Sequence, residues 1–188
     1  MDIPAALLEK ISTAAHPTLV GVSGFGGSGK STFATKLGNV IHAPVISTDL
    51  FLTQRAQGNV TLWDCYDRER LMREVLSPFK NGEKSLTYGV YNWNADMVVG
   101  TQVCSTSRGV LIVEGIGLFQ PSMCSLLDIK VWIECPLSVS LERGKRRDLI
   151  QGADHSHLWD GLWRENEESF FARYSPMDKA DVIVENHS

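Results

Sequence analysis

The stretch "GVSGFGGSGKSTF", Gly21 to Phe33, sets five glycines ahead of a lone lysine, after the apolar run "TLVGV" and before residues with helical spacing. Within it Gly24, Gly29, Lys30 and Ser31 satisfy G-x-x-x-x-G-K-[ST], the spacing of a phosphate-cradling loop. Bare backbone lets amides approach an anion that side chains would hold away, and it accepts the positive φ angles of a tight curl. Placed at the head of a helix, the loop adds the helix dipole to those amides. The motif therefore predicts that Gly24, Gly26, Gly27, Ser28, Gly29, Lys30, Ser31 and Thr32 hold the phosphates of a nucleotide. Lys30 would neutralise β- and γ-phosphate charge, and the Ser31 hydroxyl would be one ligand of Mg²⁺. The competing reading is a glycine-rich strand-to-helix turn with an incidental lysine.

Outward from the loop, Leu7, Leu8 and Ile11 predict a helix over 5–15, and Phe33, Leu37 and Ile41 predict another from Ser31. "APVIST" (43–48) reads as a short strand ending at Asp49. "GVLIVEG" (109–115), "DIKVWIE" (128–134) and "ADVIVEN" (180–186) are continuous apolar runs, as expected of strands buried on both faces of a parallel sheet. A helix over "PLSVSLERGKRRDLI" (136–150) carries Pro136 in its first turn. The alternation predicts an α/β fold, a mostly parallel sheet flanked by helices, in one domain over 1–188. Residues from about 50 to 106 read as an insertion on the substrate side, with a helix "DRERLMREVLSPF" and then "SLTYGVYNWNADMVV" as paired strands or a long loop. Residues from about 143 to 160 read as a lid, with "QGADHSH" its mobile part.

Chemistry in such a sheet gathers at the carboxyl ends of the strands, where Asp49 and Glu114 both stand. One of them can orient Mg²⁺ while the other accepts a proton from an attacking hydroxyl, or each can simply cap the next turn. Asp67 precedes a helix and reads as a cap at least as well as a substrate contact, and Asp64 supports no assignment alone. Tyr88, Tyr91 and Trp93 suit either a flat ring or the core. Arg143 and Arg147 lie four apart on one helix face, where an anion such as a triphosphate would relieve their repulsion; the alternative pairs Glu142 with Arg146 on a solvated helix. His155 and His157 read as exposed polar residues rather than metal ligands.

Composition bounds these readings. A formal charge of −4 with interspersed signs presents no basic face for nucleic acid or an anionic membrane. Cys65, Cys104, Cys124 and Cys135 lack metal-ligand spacing and read as reduced, mostly buried thiols. The start "MDIPAALLEKIS" has no signal-peptide character and no apolar run approaches a membrane span, so a cytoplasmic protein is expected.

Taken together, "GVSGFGGSGKSTFA", "STDLF", "LIVEGIGLF", "RGKRRD" and "SPMDKADVIVEN" make the chain resemble the uridine kinase branch of P-loop kinases, a group similar to phosphoribulokinase, pantothenate kinase and nicotinamide riboside kinase. The resemblance runs from Thr18 over nearly the whole chain. It implies Asp49 as catalytic base, Glu114 near the metal, Arg143 and Arg147 on the phosphates, and "SPMDKADVIV" near the adenine. Leu52 stands where the family has a tyrosine, Asn92 where it has an aspartate, and no histidine follows Trp93. The expectation is an ATP- and Mg²⁺-dependent kinase acting on a hydroxyl of a small metabolite, a nucleoside among the candidates, with homo-oligomerisation left open. The alternative is a nucleotide-binding ATPase or regulatory module without an acceptor, which would leave the 50–106 insertion without a purpose. A GTP switch would need Asn-Lys-x-Asp and Asp-x-x-Gly, and neither string occurs.

Overall fold

A computed structural model describes residues 1–53 and 66–187, so Asp64 and Cys65 lie outside the described residues. The chain runs through α1 (Ala5–Thr13), β1 (Thr18–Gly24), α2 (Lys30–Ile41), β2 (Val45–Ser47) and a 3₁₀ turn at Thr48–Leu50. After the undescribed segment come α3 (Arg68–Leu71), a π-helical turn (Met72–Leu76), α4 (Ser77–Lys80), β3 (Ser85–Asn92), β4 (Met97–Ser105) and β5 (Val110–Glu114). The remainder is α5 (Pro121–Cys124), β6 (Ile129–Glu134), α6 (Leu137–Ile150), α7 (Ser156–Asp160), α8 (Leu162–Tyr174), α9 (Pro176–Lys179) and β7 (Val182–Glu185).

Five strands form a parallel sheet in the order β2-β5-β1-β6-β7, so the glycine-rich loop leaves the central strand. β1 and β5 are buried at every position, which is why their sequences are apolar without alternation. Side chains still alternate between faces. Leu19, Leu111, Val113 and Trp132 pack on one side of the sheet with Leu71, Val75, Phe79 and Phe170. Val20, Val22, Ile112, Val131 and Ile133 pack on the other with Leu7, Ile11, Phe33 and Leu37 of the first two helices. The observed elements follow the expected α/β order, with ends displaced by a few residues.

Among the described residues of the 50–106 stretch, helical segments over 68–80 precede an antiparallel hairpin, so "SLTYGVYNWNADMVV" takes the paired-strand form. The π-helical turn interrupts what the sequence suggests is one regular helix. Tyr88 and Tyr91 are buried, with the Tyr88 ring 5.7 Å from Phe51, so they fill the core between hairpin and sheet, whereas Trp93 is 39% exposed. The Asn92 side chain accepts from the backbone N–H groups of Asn94 and Ala95 at 3.0 and 2.9 Å and closes the hairpin turn.

The parallel arrangement brings the C-terminal ends of β1, β2, β5, β6 and β7 to one edge, where Glu114 ends β5, Asp49 follows β2 and the glycine-rich loop follows β1. On the far side, α2 ends where His42 turns left-handed (φ 53°) and the Ala43 N–H reaches the Gly38 carbonyl at 2.9 Å. A Cβ on Gly38 would stand 2.8 Å from the Ala43 carbonyl oxygen and 2.8 Å from Val45 Cγ2. Helix propensity alone predicts that Gly38→Ala gains about 1 kcal/mol. The backbone contact reverses the sign, and the substitution is expected to lower stability in urea titration; a raised midpoint would show that the end of α2 yields easily.

Candidate active site

The loop between β1 and α2 is clasped from outside. Gly27 and Gly29 have φ of 81° and 95°. A Cβ at Gly27 would meet the Ser140 carbonyl at 2.1 Å, one at Gly24 the Ile133 carbonyl at 2.8 Å, and one at Gly26 the Trp159 ring at 2.9 Å. Asn186, just past β7, donates from Nδ2 to the Ser28 carbonyl at 2.7 Å. The loop is thus pressed into a fixed curl by α6, α7 and the ends of β6 and β7, which is the preorganisation a backbone anion site needs.

Lys30 folds back to donate to the Phe25 carbonyl at 3.3 Å. Ser31 donates from Oγ to Glu114 Oε2 at 3.0 Å, joining the first turn of α2 to the end of β5. Glu114 is only 4% exposed, and burial raises its carboxyl pKa against the opposing influence of Lys30, with the Asp49 charge adding to the rise. Together Ser31 and Glu114 offer two hard oxygen donors, a set that suits Mg²⁺ when phosphates complete the shell. Among the described residues no group of three or more His, Cys, Asp or Glu could hold a metal unaided. His155 instead bonds Asp148 through Nδ1 at 3.1 Å. Of the described cysteines Cys135 is buried while Cys104 and Cys124 are half-buried, all as free thiols.

Asp49 is exposed on the 3₁₀ turn beyond β2, and its Oδ1 accepts from the Tyr66 hydroxyl at 3.2 Å. Tyr66 reaches it because the backbone pairs with Leu52 in an isolated antiparallel bridge, so a phenol arrives at this edge from position 66 although position 52 is leucine. A cleft beside Asp49 is lined by Thr48, Phe51, Tyr66, Asp67, Arg68 and Gln120, and the buried Thr48 hydroxyl there has no partner among the described residues. Asp67 caps α3 by accepting from the Arg70 N–H at 2.9 Å. Arg70, 7% exposed, donates to the carbonyls of Leu50 and Gly89 at 2.8 Å each and lies 4.6 Å above the Phe51 ring, locking the Asp49 turn to the hairpin. Neither Tyr66 nor Arg70 carries a local signal in the sequence.

Arg143 donates to the Asn186 carbonyl and the Cys135 sulfur, both at 3.4 Å, and so stands behind the loop. Arg147 pairs with Asp148 at 2.9 Å, so the protein itself supplies its counter-charge. Burial alone would raise the Asp148 carboxyl, but bonds from Trp159, Arg147 and His155 hold its pKa below the ordinary value. Glu142 pairs with Lys145 at 2.9 Å, a different partner from the Arg146 expected of a solvated helix.

No local signal in the sequence marks Glu167 on α8. It is 3% exposed, and its Oε1 accepts from the Gly26 N–H at 2.7 Å. Burial pushes its carboxyl up to about 7, against the lowering effect of Lys30 and the Gly26 bond.

The family model described as phosphoribulokinase/uridine kinase matches residues 19–188. The chain belongs to that family. It is 27% identical to a uridine kinase of Aliivibrio salmonicida, covering 90% of this chain and 86% of that protein. It is 26% identical to the uridine kinase of Saccharomyces cerevisiae, covering 92% of this chain and 37% of that longer protein. A solved structure from Silicibacter sp. TM1040, provisionally assigned as a fructose transport system kinase, superposes with a TM-score of 0.80 at 21% identity over 97% of this chain and 99% of its own. A provisionally assigned uridine kinase from Bacillus stearothermophilus does so at 0.71 and 19%, over 95% of each chain. Both share the fold. Family membership favours a small-molecule kinase over an acceptor-free ATPase or regulatory module.

The Glu167 carboxyl yields a stability prediction. Its folded pKa of about 7 lies above the ordinary 4.5, so its protonated form favours the folded state fully below about pH 4.5, and that advantage is lost as pH rises through 7. The difference corresponds to roughly 3 kcal/mol at most. Glu167→Gln, which keeps an acceptor for Gly26 without the charge, should raise the melting temperature clearly at pH 8 and little at pH 4.5. Equal effects at both pH values would mean that the carboxylate is not desolvated.

Proposed function

We propose that the chain is an ATP- and Mg²⁺-dependent kinase that phosphorylates a hydroxyl of a small metabolite, with a nucleoside as the first candidate acceptor. The observation that carries this is the Ser31–Glu114 hydrogen bond at the mouth of the clasped loop, with Lys30 and Asp49 electrostatically coupled to the same carboxylate. A nucleoside is favoured by the uridine kinases among the relatives and by aromatic Phe51 and Tyr66 on the walls of the adjoining cleft. Leu52 and Asn92 depart from the uridine kinase pattern, so the base is left unnamed.

In this reading the glycine-rich segment with Ser28, Lys30, Ser31 and Thr32 holds the triphosphate, and Lys30 leaves the Phe25 carbonyl to neutralise phosphate charge. Ser31 and Glu114 hold the metal ion, which when bound supplies charge neutralisation on the phosphates. Asp49, oriented by Tyr66, accepts the proton of the acceptor hydroxyl as its oxygen attacks the γ-phosphorus and ADP leaves. Arg143 and Arg147 add positive charge from α6, for which Arg147 must exchange Asp148 for phosphate. No described helix is long and apolar enough to cross a membrane, and a cytoplasmic setting is part of the proposal.

Asp49→Asn should lower kcat by about 10²- to 10⁴-fold with little change in KM for ATP, as removal of a general base does. Glu114→Gln should instead raise the Mg²⁺ concentration needed for half-maximal rate, and Lys30→Ala should abolish turnover in a protein whose circular dichroism is unchanged. Full turnover in Asp49→Asn, beside a Glu114→Gln variant that is inactive at every Mg²⁺ concentration, would reverse the two roles.

A further inference from the structure

A buried acid that accepts from a loop amide and feels the charge of the loop lysine is out of place in a site that must receive a polyanion. The Glu167 side chain does both, and the phosphate chemistry proposed above makes no use of it. The elements around it offer little to offset a second negative charge. From α2 the charged group that acts on it is Lys30; from the loop it receives the Gly26 N–H; from α7 its neighbour over Gly26 is the Trp159 ring, which is apolar at that edge. Trp159 cannot readily withdraw, because its Nε1 is bonded to the buried Asp148 at 2.8 Å and its ring packs edge-on against Trp163 with centroids 4.7 Å apart.

We propose that Glu167 is a positioning residue of the phosphate cradle that sets Gly26 in the empty loop and takes up a proton when the nucleotide binds. The Lys30 charge acts on the side chain in the free protein, and Lys30 is also the cation that the triphosphate engages in the nucleotide reading on which this inference rests. When phosphate takes that charge, Glu167 loses its electrostatic support and gains an anionic neighbour, with 3% of its surface left to water. Protonation then becomes the cheaper state. The protonated acid still accepts from Gly26 through its second lone pair, so the curl of the loop is retained. Nucleotide binding and proton binding are thereby coupled, and each must strengthen the other.

The test is isothermal titration of the full chain with a non-hydrolysable ATP analogue and Mg²⁺, repeated in buffers of different ionisation enthalpy, which counts protons taken up on binding. Because the free carboxyl sits at about 7, wild type should take up about half a proton at pH 7, more at pH 8 and almost none at pH 5.5. Its affinity should fall by about tenfold between pH 6 and pH 8 relative to Glu167→Gln, whose affinity lacks that component. Glu165→Gln, an exposed carboxylate on the first turn of the same helix, should behave as wild type. Equal proton uptake by wild type and Glu167→Gln overturns the proposal. So does wild-type binding without uptake at pH 7 and 8, a result that needs no variant to fold. Failure of wild type to bind the analogue at any pH would instead remove the nucleotide reading itself, and the inference with it.

Discussion

The tight clasp on the loop after β1 is the constraint from which the rest follows. Backbone amides can bind an anion strongly only if their geometry is held in advance, and here carbonyls of Ile133 and Ser140, the ring of Trp159 and the amide of Asn186 leave no room for a Cβ at four successive glycine positions. That requirement explains why β6, α6, α7 and β7 must all end or begin near one loop. It also explains why Asn186 and Arg143, far from Ser28 in sequence, are tied into one chain of contacts behind it.

Much of this was legible because it is local. The loop motif with Ser31, the doubly buried strands and the amphipathic helices each announce themselves within a few residues, and Asp49 and Glu114 stand out as candidates at strand ends of a parallel sheet. What could not be read depends on partners remote in sequence. Glu167 is one of three glutamates close together on α8, and only packing separates it from exposed Glu165 and Glu168. Tyr66 owes its place to a bridge with Leu52, and Arg70 to carbonyls on either side of it in the fold. Arg143 and Arg147 were paired through helical spacing, but the first turns toward Asn186 and the second toward Asp148. Spacing reports which face a side chain leaves from, not which neighbour satisfies it.

The charges at this edge form a graded set. Lys30 opposes two buried carboxylates, Glu114 beneath the first turn of α2 and Glu167 above Gly26, and both are held above their ordinary pKa because burial outweighs that one cation. Asp49, by contrast, is exposed and oriented by a phenol beside a cleft. In the proposed function the buried carboxylates respond to bound cation and anion, and the exposed one meets an acceptor that arrives from solvent.

In the proposed function the triphosphate loop and the cleft beside Asp49 serve one reaction, transfer to an external hydroxyl. Phosphorus-31 NMR of the protein with ATP, Mg²⁺ and single nucleosides or other small alcohols tests it most directly. A phosphate-monoester resonance should grow in step with ADP for at least one acceptor and disappear without Mg²⁺. ADP accompanied only by inorganic phosphate, at a rate indifferent to every acceptor, would contradict it.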